Sequence, residues 1–196
     1  MASITYSAEK EEEFALEGTV NGAGAAMTWA EKEWAMDDIE KIAWKDVQNP
    51  PVFLNVIGGL GAPYWQSDLN PRFLDENKTY QNYTHEECMA ALMESIAFLI
   101  VINLKEMQKH GINTQQLLLA GGMSQDEHLC QVLANLSSVS VVVSSFREAT
   151  SRGAAWLTMQ CPNWGILASK EFHPTKDDAL QTRYHKFKSA IEGLIN

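Results

Sequence analysis

The hydrophobic pattern along the chain changes period several times, and each change predicts a different element. Residues 3–7 and 13–18 read as short strands on either side of the acidic turn 9–12, a hairpin pattern that Gly18 and Gly22 bring to an end. From Gly24 the spacing becomes helical, with Met27, Trp34, Ile39, Ile42 and Ala43 on recurring faces and a break near Asp37. Pro50 and Pro51 stop the helix and lead into the β-branched run 52–57, a buried strand ended by Gly58 and Gly59. The stretch 61–84 is polar and aromatic, contains Pro63 and Pro71, and is longer than a passive connector needs to be.

Thr84-His85-Glu86-Glu87 is a capping box, so a helix starts there and runs through Ala91, Leu92, Ile96, Leu99 and Leu104 to His110, with Gly111 as its left-handed cap. Apolar residues nearly all round its middle make it central. A strand at 116–120 ends in Gly121-Gly122, directly before a second capping box, Ser124-Gln125-Asp126-Glu127, and a helix to 135. A strand at 139–144 then precedes a helix at 148–160 whose small residues Gly153, Ala154 and Ala155 suit close packing on a sheet. A loop at 162–165 and an amphipathic helix at 175–194 complete the chain. Strands alternating with helices predict an α/β domain, a sheet covered by helices.

Composition narrows the function classes. The 196 residues suit one domain, 1–196, and 45% apolar with 20% charged residues excludes disorder and fibrous repeats. A net charge of -10 argues against nucleic acid as a partner, since phosphate contacts need clustered Lys and Arg. The most apolar run, 95–104, is shorter than the roughly 20 residues a bilayer core needs, so no membrane partner is expected. The first residues show no basic start before an apolar stretch, and a cytoplasmic location is expected. Cys88, Cys130 and Cys161 are spaced for neither a disulfide framework nor zinc and read as reduced core residues.

The sharpest local feature is Leu117-Leu-Leu-Ala-Gly-Gly-Met-Ser124, where a strand ending in two glycines lets a ligand approach outward-facing N–H groups. A tight turn explains the same two glycines, and the carboxylate of Asp126 is explained equally by the helix dipole or by a ribose hydroxyl or adenine amino group. Gly18, Gly22 and Gly24 form a second cluster that matches neither the Rossmann fingerprint nor the P-loop. A third, Gly58 to Gly61, leads into Tyr64 and Trp65, whose rings suit capping the core. The five histidines lack metal spacing, and no acidic residue stands at a strand end beside a glycine loop, so neither a catalytic base nor a metal site is assigned.

Five ordered segments carry a resemblance to a known family: Phe14-Ala-Leu-Glu-Gly-Thr-Val20 with Ala23-Gly-Ala-Ala-Met-Thr-Trp29, Gly59-Leu-Gly-Ala-Pro-Tyr-Trp65, Leu92-Met-Glu-Ser-Ile-Ala-Phe98, Ala120-Gly-Gly-Met-Ser124 and Glu148-Ala-Thr-Ser-Arg-Gly-Ala-Ala-Trp156. Together they resemble the C-terminal domain of FGGY carbohydrate kinases, most closely the glycerol kinases. The resemblance implies an actin-like ATPase (ribonuclease H-like) domain with a mixed sheet covered by helices, incomplete at its N-terminal edge, an edge open to pairing in a homo-oligomer. It implies ATP or ADP, with Mg²⁺ in the full enzyme, and a sugar or polyol substrate held by a domain not present here. The family's catalytic Asp would lie upstream, leaving the fragment inactive alone. Carried over by position, the nucleotide contacts are Gly24, Thr28, Gly121, Gly122 and Asp126; glycerol kinases usually place Gln where Thr28 stands and Asn where Asp126 stands. The alternative reading is a stand-alone actin-like module that binds nucleotide or protein without turnover.

Overall fold

A computed structural model of the chain describes residues 2–8, 11–146, 148–159 and 168–195. The chain divides into two compact units, Met1–Ile112 with Ala179–Asn196, and Asn113–Asp178.

The first unit opens with the expected hairpin, β1 (Ala2–Ala8) antiparallel to β2 (Glu11–Leu16) with a bulge between Ile4 and Tyr6. Helix α1 (Gly24–Glu33) stops at Trp34, and a 3-10 turn, Ile39–Lys41, resumes after Asp38. Left-handed backbone at Ala35 (φ 49°) and Asp38 (φ 53°) makes the break that the sequence placed near Asp37. The run 52–57 is buried throughout, but only β3 (Phe53–Leu54) forms a ladder, antiparallel to β4 (Arg72–Phe73). The strand expected over the whole run is shorter, its ladder ending at Leu54, and the buried side chain of the next residue, Asn55, donates from Nδ2 to Gly22 O at 2.8 Å. β4 itself falls inside the stretch expected to be loop.

Helix α2 (His85–Lys109) begins as predicted: Thr84 N donates to Glu87 Oε2 at 2.8 Å, and Glu87 N donates to Thr84 Oγ1 at 3.2 Å. By length and composition α2 is apolar enough to cross a membrane, yet 83% of its most apolar window is buried inside the unit, where it is the core helix. Helix α5 (Asp178–Ile195) buries Leu180, Tyr184, Phe187 and Ile191 and meets α2 through two of them, with Phe98 5.7 Å from the Tyr184 ring and 5.2 Å from that of Phe187. Arg183 clamps this pairing, donating to Glu94 from Nε at 2.7 Å and from Nη2 at 2.6 Å. Both side chains are largely buried, so the fork geometry replaces lost water with directed bonds. A second cluster joins Trp29, Trp34, Phe53, Phe73 and Tyr83 with ring separations of 4.8 to 5.8 Å.

The second unit is built on a mixed sheet in the order β5 (Gln116–Leu119), β6 (Ser140–Ser144), β7 (Ala168–Phe172), with β5 parallel and β7 antiparallel to β6. Helix α3 (Glu127–Ser137) buries Leu129, Cys130, Val132, Leu133, Ala134 and Leu136. Its Gln131 donates to His173 O, and its Asn135 accepts from Thr175 N and Oγ1, which ties down the chain after β7. β7 had no strand signal because its residues read as a polar run. The second capping box is corrected: Ser124 lies in a 3-10 turn, Gly122–Gln125, with its hydroxyl donating to Gly121 O at 2.7 Å, and Asp126 is the N-cap, accepting from Leu129 N at 3.0 Å. Helix α4 (Ala149–Thr158) has no buried residue, and a Cβ on Gly153 would meet nothing within 4 Å, so the expected close packing of its small residues is not observed. Cys161 and the loop 162–165 lie outside the described residues.

Candidate nucleotide site

The three glycine clusters separate once the space around each glycine is measured. A Cβ on Gly18 would lie 2.7 Å from Asn103 Oδ1, one on Gly22 2.4 Å from Asn55 Oδ1, and one on Gly61 2.3 Å from Thr19 O. Distances under 3.0 Å leave no room for a side chain, so these glycines let the chain close on α2 at Gly18 and loop on loop at Gly22 and Gly61. The closure is hydrogen-bonded: Ala62 N donates to Thr19 O at 3.1 Å, and Asn21 Nδ2 donates to Gly58 O at 3.2 Å and Gly59 O at 3.3 Å. Around Gly24, Gly121 and Gly122, by contrast, an added Cβ would meet nothing within 4 Å, as is also true at Gly111, Gly153 and Gly193. Gly24, Gly121 and Gly122 are the positions carried over as nucleotide contacts.

Gly24 opens α1, and Thr28 follows one turn later, so both lie on one helix face. The N-cap, Ala23, makes no side-chain bond and the first turn holds no acidic residue, which leaves the positive end of the helix unneutralised by its own side chains. Thr28 is exposed and lines an open cavity of about 430 Å³ with Glu31, Lys32, Met36, Asp37 and Asp38.

Gly121 follows β5 with φ 96° and ψ -175°, a conformation that L side chains rarely adopt. The Ser124 hydroxyl and the Cys130 thiol, which reaches Ser124 O at 3.5 Å, hold this turn from its buried side. Asp126 stands at its end as the cap of α3. The structure thus brings Gly24 and Thr28 together in the first unit, and Gly121, Gly122 and Asp126 together in the second. Sequence reasoning missed Asn21, Asn55 and Ser124 as the side chains that fix these loops; only their positions next to glycine runs hinted at it.

The third cluster carries a departure from expectation. Trp65 does not cap the core: it is 57% exposed, with left-handed backbone at φ 53°. Tyr64 is half-buried, and burial together with Glu192 and Glu106 pushes its hydroxyl above the usual range. Cys88 and Cys130 are inert core thiols, pushed up to about 12 and about 11 by burial. Among the described residues no group of three His, Cys, Asp or Glu could hold a metal ion.

The chain belongs to the FGGY family of carbohydrate kinases, whose C-terminal domain profile matches residues 2–160. It is 26% identical to glycerol kinase 1 of Thermotoga maritima over 100% of the chain and 42% of that protein. It is 30% identical to glycerol kinase of Thermoanaerobacter sp. over 98% of the chain and 41% of that protein. Among solved structures, ligand-bound xylulose kinase from Lactobacillus acidophilus superposes with TM-score 0.78 at 20% identity, covering 96% of the chain and 41% of that protein. Plasmodium falciparum glycerol kinase with ADP gives TM-score 0.78 at 23% identity, covering 98% and 41%. The fold is that of the FGGY sugar kinases, an actin-like ATPase fold, and the chain spans about two fifths of the length of these relatives.

Proposed function

We propose that this domain is the nucleotide-binding half of an ATP-dependent kinase that phosphorylates a hydroxyl of a sugar or polyol. The observation that carries the reading is the contrast among the glycines. Where the chain packs closely the space beside the glycine is filled, whereas at Gly24, Gly121 and Gly122 it is open, as it also is at Gly111, Gly153 and Gly193; unlike those three, Gly24 opens α1 and Gly121-Gly122 opens a 3-10 turn, where unpaired N–H groups can face a ligand.

In this reading the uncapped start of α1 offers its N–H groups at Gly24, with the Thr28 hydroxyl one turn on. The turn at Gly121-Gly122 in the second unit offers backbone of its own, held by the Ser124 hydroxyl. Asp126, an acceptor only, suits a ribose hydroxyl or the adenine amino group and not a phosphate. ATP supplies the phosphoryl group: the bond from γ-phosphorus to the β–γ bridging oxygen breaks as the bond to the acceptor oxygen forms, and ADP leaves. The proton of the acceptor hydroxyl goes to a base outside the described residues, and no Mg²⁺ ligand is proposed among them. The acceptor contacts likewise come from outside the domain. A cytoplasmic location fits two buried, reduced thiols.

A module that binds nucleotide without turnover is the second reading, favoured by one observation: the Asp126 carboxylate is already engaged in capping α3. Calorimetry of the chain with ADP tests the shared premise. The expected result is saturable binding, weakened at least tenfold by Gly24→Val and by Gly122→Val. Absence of heat with ADP and ATP, or equal affinity in both variants, contradicts it.

A further inference from the structure

Helix α5, the first turn of α2 and the segments 49–52 and 75–83 enclose another open cavity, of about 540 Å³, a size that suits a small molecule. All its lining residues belong to the first unit, and none is a nucleotide position carried over from the family. Its charged groups converge on one carboxylate. Lys186 of α5 donates to Asp75 Oδ1 at 3.1 Å, the Tyr83 hydroxyl donates to Asp75 Oδ2 at 2.7 Å, and Lys78 Nζ stands 3.8 Å from that second oxygen. The hydrogen bonds from Tyr83 and Lys186 hold the Asp75 carboxyl below its usual range, so it stays ionised between the two ammonium groups. The carboxylates lining the cavity are engaged, Asp75 through both oxygens and Glu87 in the cap of α2. The donors are not used up. Lys78 and Lys186 are half-exposed and, among the described residues, meet only Asp75 and, for Lys78, the Tyr83 ring at 5.3 Å, which leaves N–H groups on both ammonium ions. Asn49 spends its oxygen on Arg183 Nη1 at 3.4 Å, so the group left to it is a donor as well.

We propose that this cavity binds the phosphate group of a small organic phosphate between Lys78 and Lys186. The kind of cation selects phosphate over a planar carboxylate. Arg183, the guanidinium of the lining, has its fork spent on Glu94, whereas two ammonium groups on flexible stems act as point charges and suit oxygens that point in several directions. The cavity is larger than a phosphate group needs, and Pro50, Pro51 and Val52 supply apolar surface for the carbon-bearing part of the ligand. A chain of net charge -10 repels anions in general, so the attraction is local to these two lysines and weakens as salt is added.

NMR of the full chain with isotope-labelled lysine side chains, titrated with inorganic phosphate and with phenyl phosphate, tests the proposal against sodium chloride at matched ionic strength. The expected result is saturable movement of the Lys78 and Lys186 Cε signals with both phosphates, tighter with phenyl phosphate, and none with chloride. Lys78→Gln and Lys186→Gln should each weaken binding by about tenfold, the loss of one charge-assisted hydrogen bond. Lys176→Gln, at a lysine outside the cavity, should leave binding unchanged. Circular dichroism checks that the variants, all at exposed side chains, keep the fold. Equal movement with chloride, failure of phenyl phosphate to bind, affinity that survives both cavity variants, or an equal loss in Lys176→Gln overturns the proposal. So does movement confined to the backbone of 24–28 and 121–126, which would put the phosphate in the nucleotide segments instead.

Discussion

Helices α2 and α4 both matched family segments, both are rich in small and apolar residues, and they end in opposite environments. α2 buries fifteen of its 25 residues, including Glu94, whereas α4 buries none of its ten. The difference comes from neighbours, not composition. α2 is enclosed by partners in its own unit: Phe98 meets Tyr184 and Phe187 of α5, and Glu94 meets Arg183. α4 leaves Leu157 at 50% exposure, and its Arg152 guanidinium lies 4.0 Å from the Phe146 ring centre. A segment's motif therefore tells where it belongs in a family, and only the surrounding chain tells what it packs against.

Substitutions at five positions probe this contrast between a closed first unit and an open second one. Arg183→Met strands the buried Glu94 carboxylate and should destabilise the chain by about 3–5 kcal/mol in urea unfolding. Adding Glu94→Met to it should recover most of that loss. Gly61→Ala drives a methyl against the Thr19 carbonyl at 2.3 Å, a backbone atom with little freedom, and should cost about 1–3 kcal/mol by the same measurement. In the second unit the effects shrink. Asp126→Ala removes the cap of α3 for about 1 kcal/mol, while Asp126→Asn, which can cap equally well, should leave the thermal midpoint nearly unchanged. Gly153→Ala should stabilise by about 0.5–1 kcal/mol, because the site is in mid-helix with open space around it. Destabilisation there would mean that α4 is packed after all.

The sequence was most legible where the signal is local. The Thr84 to Glu87 box and Gly111 fixed both ends of α2, because a cap is made within four residues of itself. The same rule misled at Ser124, whose hydroxyl bonds back to Gly121 and leaves Asp126 to start the helix. β4 and β7 were illegible because two residues, or a polar run, acquire strand geometry only from a partner, Phe53 for Phe73 and Val142 for Glu171. The candidate site was half legible. Order of motifs pointed to Gly24, Thr28, Gly121, Gly122 and Asp126, but nothing local separates Gly22 from Gly24. What separates them is Asn55, 33 residues away, whose amide fills the space beside one and not the other.

Amide hydrogen exchange of the intact chain with and without ADP tests the nucleotide assignment most directly, since it reads the backbone groups themselves and requires no turnover. The account predicts that saturating ADP slows exchange around residues 24–28 and around 121–126, and leaves the backbone-closed glycine loop at 58–61 unchanged. Slowing confined to one of the two segments, or to neither, contradicts it.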